Sequence, residues 1–118
     1  MTEIWKDIKG YEGLYKVSNT GKVYSYKRKK ELRANGQGYP SVNLVNGRSS
    51  KHKYIHRLVA EAFIPNPDNK SDVNHINGVT NDNRVTNLEW TTRMENIQKY
   101  LVSDRYKQVL EEQRRKRI

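Results

Sequence analysis

The residues best placed to do chemistry lie between Asp72 and Leu101, a stretch that reads strand, long turn, strand, helix. Val73 to Ile76 has the look of a short strand, and Asn77-Gly78 is a strong turn pair. Leu88 to Thr91 suits a second strand. Thr92-Arg93-Met94-Glu95 then has the spacing of a capping box that opens a helix with Met94, Ile97 and Leu101 on one face. On these elements His75 sits on the first strand, Asn87 begins the second, and Asn96 lies in the first turn of the helix. Folded against each other, the elements can bring the three side chains together. Hydrolysis of a phosphodiester needs a base, a cation to neutralise developing oxyanions, and a group that orients the base. Imidazole is the natural base near neutral pH. Asn96 joins an amide oxygen to a helix N-terminus, whose backbone field favours phosphate. Each residue also has a plainer use: histidine in packing, Asn87 in a turn, Asn96 on a solvated helix face.

The bulk composition narrows the chemistry. The chain has 118 residues and no cysteine, so disulfides, thiolate metal sites and cysteine nucleophiles are excluded. Any metal must be held by His, Asp, Glu or Asn, which suit Mg²⁺ or Mn²⁺. Twenty-three basic against 13 acidic residues give a net charge of +10. Such an excess favours a polyanionic partner through counterion release, over the plainer reading of charge kept for solubility. There is no apolar run long enough to span a membrane, and the first residues lack a secretion-signal pattern, so a cytoplasmic setting (a bacterial or phage-infected cell) is expected.

The elements that must position the site come earlier in the chain. Leu14–Ser18 and Lys22–Ser25 read as a hairpin closed by Asn19-Thr20-Gly21. Lys27, Arg28, Lys29, Lys30 and Arg33 follow as a basic cluster. Ser41-Val42-Asn43-Leu44 alternates like a half-buried strand, Asn46-Gly47 turns it, and about Lys51 to Ile55 returns, with Arg48 in the turn and Lys51 and Lys53 adding positive charge. Ile55, Leu58, Val59, Ala62 and Phe63 mark one face of a helix, ended by Pro65 and Pro67, that serves as the hub for both halves. His52 and His56 are read as structural or exposed. Trp5 and Trp90 are read as packing residues.

His75, Asn87 and Asn96, within Val73-Asn74-His75-Ile76-Asn77-Gly78 and Asn87-Leu88-Glu89-Trp90-Thr91-Thr92, resemble the HNH nuclease motif and its ββα-metal fold. His56-Arg57-Leu58-Val59-Ala60 is similar to the helix that precedes this motif in phage homing endonucleases. Trp5-Lys6-Asp7-Ile8 through Gly10-Tyr11-Glu12-Gly13 to Val17-Ser18-Asn19-Thr20-Gly21-Lys22-Val23 is similar to the DNA-binding module that precedes such nucleases. The resemblance implies an HNH-type DNA endonuclease that nicks or breaks double-stranded DNA with one divalent ion, Mg²⁺ or Mn²⁺. It assigns His75 as general base, Asn96 as a metal ligand, and Asn87 as the brace of the inter-strand loop that helps position the imidazole. Asn74 stands where many members carry an aspartate ligand. Neighbours on a strand point to opposite faces, so Asn74 and His75 share a site only if the strand twists sharply or ends there.

The expected architecture is α+β. It comprises a DNA-binding β module over residues 1–54, a ββα-metal unit with its preceding helix over 55–102, and a basic C-terminal helix over 103–118. Lys27, Arg28, Lys29, Lys30, Arg33, Arg48, Lys51 and Lys53 are the expected DNA contacts. With only 103–118 beyond the nuclease unit, limited site specificity, or help from a partner or dimer, is expected of a monomer or weak dimer. The rival readings are a non-catalytic DNA-binding regulator on the same module and an RNA-binding protein whose tyrosines stack on bases.

Overall fold

The computed structural model describes residues 2–35 and 38–101. The basic helix expected over 103–118 lies outside the described residues. The first four strands form an antiparallel meander: β1 (Trp5–Asp7), β2 (Tyr15–Ser18), β3 (Val23–Ser25) and β4 (Lys30–Glu31). Alternation sorts its faces, with Tyr15, Val17, Val23 and Ser25 buried while Lys16 and Tyr24 turn outward. The β2–β3 turn is the expected one, and Gly21 takes φ 95° within it, a conformation that L side chains avoid. The two flanking strands are both very short.

A second sheet is the hairpin of β5 (Ser41–Asn46) and β6 (Ser49–Tyr54). Its turn needs only Gly47 and Arg48, because Asn46 pairs with Ser49, so β6 starts two residues earlier than its composition suggests. The register also sets Lys51 opposite Leu44 and Lys53 opposite Val42. The two lysines therefore share the core-side face of the hairpin, where Lys51 is exposed and Lys53 half-buried. His52 and Tyr54 occupy the other face.

Helix α1 (Ile55–Phe63) follows without a break and buries Ile55, His56, Leu58, Val59 and Ala60. It packs against β2 and β6 on one side. On the other it meets β7 (Asp72–His75), β8 (Leu88–Thr91) and the 3₁₀ turn Val85–Asn87 that leads into β8. One hydrophobic cluster consequently runs from Ile8 and Val17 through Leu44 and Val59 to Val73 and Leu88. The hub expected of α1 is present, and the early β segment and the later unit share its core.

Helix α2 (Arg93–Leu101) completes the described chain. Only half of its capping box forms. The Glu95 amide donates to Thr92 Oγ1 at 3.0 Å, while the Glu95 carboxylate is held by Lys70 at 3.0 Å instead of returning to the Thr92 backbone. Met94 and Ile97 are exposed. Among the described residues no helix is long and apolar enough to cross a membrane.

A core shared by such short strands has little redundancy. Leu44, with no exposed surface, sits where the hairpin meets it, and Leu44→Ala is expected to cost about 2–5 kcal/mol. Urea unfolding of the two proteins measures this, and a loss below about 1 kcal/mol would show that the site collapses around the gap.

Candidate active site

The β7–β8 ladder decides which side chains meet. Asp72 pairs with Thr91, Val73 with Trp90, Asn74 with Glu89 and His75 with Leu88. Val73, His75 and Leu88 are buried, so one face of this small sheet is turned into the protein and Asn74 stands on the other. The strand ends at His75.

His75 is 6% exposed, and its Nε2 lies 2.7 Å from Oδ1 of Asn83, itself buried. Two rings face the imidazole: His56 of α1, with centroids 5.0 Å apart, and Tyr39, at 5.8 Å. Tyr39 and Tyr54 also lie against His56, at 5.2 and 5.6 Å, and His52 lies against Tyr54 at 5.3 Å. A row of rings thus runs from the exposed hairpin to the buried imidazole. His56 belongs to this row as a buried residue, and His52 as an exposed one.

His56 is notable for its isolation. Its Nδ1 is buried with no hydrogen-bond partner among the described residues. Burial foremost, then the neighbouring His75 and Arg57, pushes its imidazole down to about 4. His56 is therefore neutral at pH 7 and adds no charge beside His75.

Asn87 ends the 3₁₀ turn rather than beginning β8. Its Oδ1 accepts from the Asn77 backbone at 3.0 Å, and its Nδ2 donates to Asn77 Oδ1 and to the Asp82 carbonyl, each at 2.9 Å. The amide therefore ties both ends of the loop between the strands. Arg84 grips the Asp82 carboxylate with two hydrogen bonds of 2.8 and 2.7 Å, which hold that carboxyl well below the usual range. Asn87 fastens the loop, and Asn83 within that loop reaches the imidazole.

On the outer face, Asn74 Nδ2 donates to Glu89 Oε1 at 3.0 Å. Asn96 is exposed in the first turn of α2, its amide bonded to the Thr92 carbonyl at 3.0 Å. No group of three or more histidine and carboxylate side chains is gathered among the described residues. What the outer face offers is the amide oxygen of Asn74 beside the carboxylate of Glu89, a hard donor pair that fits Mg²⁺ or Mn²⁺. Glu89 was missed in the sequence, although any residue directly opposite Asn74 in the ladder is a candidate.

The basic residues fall into two groups that converge. Lys27, Arg28 and Lys29 form the β3–β4 turn, with Lys30 and Arg33 close behind, all exposed. Arg48 is exposed at the hairpin tip. Lys27 and Arg28 line, with Asn46 and Gly47 of that tip, a cleft of about 560 Å³ between the two sheets.

Against known proteins, residues 53–98 match the HNH endonuclease family and residues 3–45 match the NUMOD4 motif. Residues 53–98 are therefore similar to an HNH endonuclease domain. His75, Asn74, Asn87 and Asn96 all fall inside this HNH segment, and the Lys27–Arg33 cluster inside the NUMOD4 motif. The chain is 44% identical over 96 residues to the DNA endonuclease I-HmuI of Bacillus phage SP01, a match covering 80% of this chain and 55% of that one. It is 48% identical over 103 residues to the uncharacterised HNH endonuclease L247 of Acanthamoeba polyphaga mimivirus, covering 82% of this chain and 26% of that one. A solved structure concerning DNA binding and cleavage by I-HmuI superposes with a TM-score of 0.79 at 40% identity, covering 87% of this chain and 60% of that one. The chain spans about half the length of I-HmuI and about a quarter of L247.

The depressed basicity of His56 has a consequence for the HNH segment's stability. In the unfolded chain this imidazole protonates near 6.5, in the fold only near 4. As pH falls the unfolded chain gains the proton first. Stability associated with neutral His56 is thus intact above about pH 6.5 and drains away as pH drops towards 4, by up to about 3 kcal/mol. Chemical denaturation from pH 7 to 4.5 is expected to show this slope, and His56→Phe to flatten it; an unchanged slope would remove His56 as its source.

Proposed function

We propose that the chain is a divalent-metal-dependent DNA endonuclease in which His75 accepts the proton of the attacking water. The observation that carries this reading is a buried imidazole, held by a tied loop, at the end of a strand pair whose outer face presents Asn74 and Glu89. That arrangement lies within a segment matching HNH endonucleases. The name and reported subject of I-HmuI, a homing endonuclease that binds and cleaves DNA, support carrying the same activity to this chain.

In this mechanism His75 removes the water proton as the phosphorus is attacked, the general-base step typically worth roughly 10²–10⁴-fold. Asn87 acts at one remove, by keeping the loop closed around the imidazole. Asn74 and Asn96 would hold a single Mg²⁺ or Mn²⁺, with the Glu89 carboxylate supplying the negative charge that an amide lacks. Such an ion, when bound, stabilises the charge developing on the phosphate and on the leaving 3′ oxygen. The cleft between the β3–β4 turn and the hairpin tip receives the DNA backbone, with Lys27, Arg28, Lys29, Lys30, Arg33 and Arg48 around it, and Lys51 and Lys53 further along the hairpin. Contacts of this kind fix the position of the duplex and carry no sequence information.

Conversion of supercoiled plasmid with Mg²⁺ or Mn²⁺ tests the reading. His75→Ala is expected to lose about 10²–10⁴-fold in cleavage rate while binding a DNA duplex as wild type does. Equal cleavage by the variant would remove His75 as the base. DNA that is bound but never cut with either ion would make the chain a non-catalytic DNA-binding regulator.

The outer face gives a separate test. Asn74→Asp replaces the donor to Glu89 with a second carboxylate about 3 Å away, so the metal-free protein is expected to melt at a lower temperature than wild type. Adding Mn²⁺ is then expected to raise its Tm by more than it raises that of wild type. Scanning calorimetry with and without the ion reads both, and an equal metal-induced rise would place the ion elsewhere.

A further inference from the structure

We propose that Asn83 is a positioning residue that fixes His75 as its Nε2–H tautomer and leaves Nδ1 as the atom that accepts the proton. The proposal rests on the reading of His75 as the base and names the group that orients it. An amide oxygen can only accept a hydrogen bond. Set 2.7 Å from His75 Nε2, the Asn83 oxygen therefore requires Nε2 to carry the hydrogen. A neutral imidazole has one N–H, so its lone pair is then on Nδ1. Both partners are buried at 6% exposure, where a lost hydrogen bond is not replaced by water.

Asn83 does not hold this position by itself. The residue before it gives its carbonyl to Asn87 Nδ2 at 2.9 Å. Two residues on, the Val85 amide donates 2.8 Å to the carbonyl of Asn19 in the β2–β3 turn. In the same turn Gly21 lies directly against Asn83: a methyl group there would come within 2.9 Å of Asn83 Cβ and 3.3 Å of its carbonyl oxygen. The absence of a side chain at Gly21 lets the turn close onto Asn83. The remaining faces of the imidazole meet His56 and Tyr39. The NUMOD4 segment thus reaches the base through one glycine and one asparagine, in addition to any contact it makes with DNA.

Long-range ¹H–¹⁵N correlation spectra of the ¹⁵N-labelled full chain, free of metal and DNA at about pH 8 where histidines are neutral, report the tautomer directly. The Nε2–H pattern is expected for His75, and an Nδ1–H pattern, which places the Asn83 amide group towards the ring, overturns the proposal. Asn83→Ala is expected to give a mixture of tautomers and to lower kcat for plasmid cleavage about 10–100-fold with KM unchanged. Asn83→Asp keeps an acceptor oxygen and is expected to retain the Nε2–H form and recover most of the rate. An Asn83→Ala protein with the wild-type tautomer and kcat would also overturn it. If Asn83→Ala fails to fold, the wild-type spectrum still decides. Because the tautomer is read without DNA or metal, a chain with the Nε2–H pattern that cuts nothing would sink the nuclease reading and leave the Asn83 assignment standing.

Discussion

Every part of the described fold depends on the burial of one face of α1. None of the sheets is self-sufficient: the strands are two to six residues long, and two of the three sheets have only two strands. Isolated hairpins of that size are marginal in water because they bury too little on their own. Nine residues of helix supply the missing partner surface for all of them. Val59 has no exposed surface, and a fully buried side chain of its kind contributes roughly 1.5–3 kcal/mol. The same geometry sets His56 beside His75, since the first turn of α1 lies between the hairpin that precedes it and the strand that ends at the imidazole. Packing and chemistry are fixed by one element.

The second constraint is polar. Residues 76–84 join β7 to the 3₁₀ turn with no regular structure, so no ladder or helix orders their backbone groups. Asparagine supplies partners. Asn87 makes three hydrogen bonds to Asn77 and Asp82, and Arg84 clamps the Asp82 carboxylate from the solvent side. Hydrogen bonds of this type add about 0.5–1.5 kcal/mol each, but a buried group left unpaired costs about 1–3 kcal/mol. That asymmetry favours the closed loop, and a closed loop is what an oriented imidazole requires.

What could be read from the residues follows the range of the interactions. Turns with glycine, the alternating β2, β3 and β5 segments, and the periodicity of α1 are local signals, and they located their elements to within a residue or two. The edge strands β1 and β4 could not be bounded individually, because three and two residues cannot display a period and their pairing depends on neighbours already in place. Glu95 illustrates the same limit: its spacing to Thr92 predicted a reciprocal cap, yet Lys70, 25 residues away in sequence, holds the carboxylate. His75 and Asn87 stood out through their motif, and the strand period alone sets Asn74 and His75 on opposite faces. Asn83, Glu89, His56 and Tyr39 acquire their places only through contacts between elements, which no local pattern encodes.

The alternation of β7 also explains how an asparagine at position 74 is compatible with the proposed chemistry. Because neighbouring side chains face opposite ways, the imidazole is housed on the dry face and the oxygen donors stand on the wetter one. The two environments suit the two tasks. A base gains from a shielded, fixed ring, and a hard cation from oxygen atoms open to solvent and phosphate. Charge on the outer face is then a property of the strand pair and not of residue 74 alone. Glu89, directly across the ladder and 3.0 Å from the Asn74 amide, carries a carboxylate at almost the same point in space. In the proposed reading the negative charge has moved one strand over, and the amide that replaced it serves to hold that carboxylate in place.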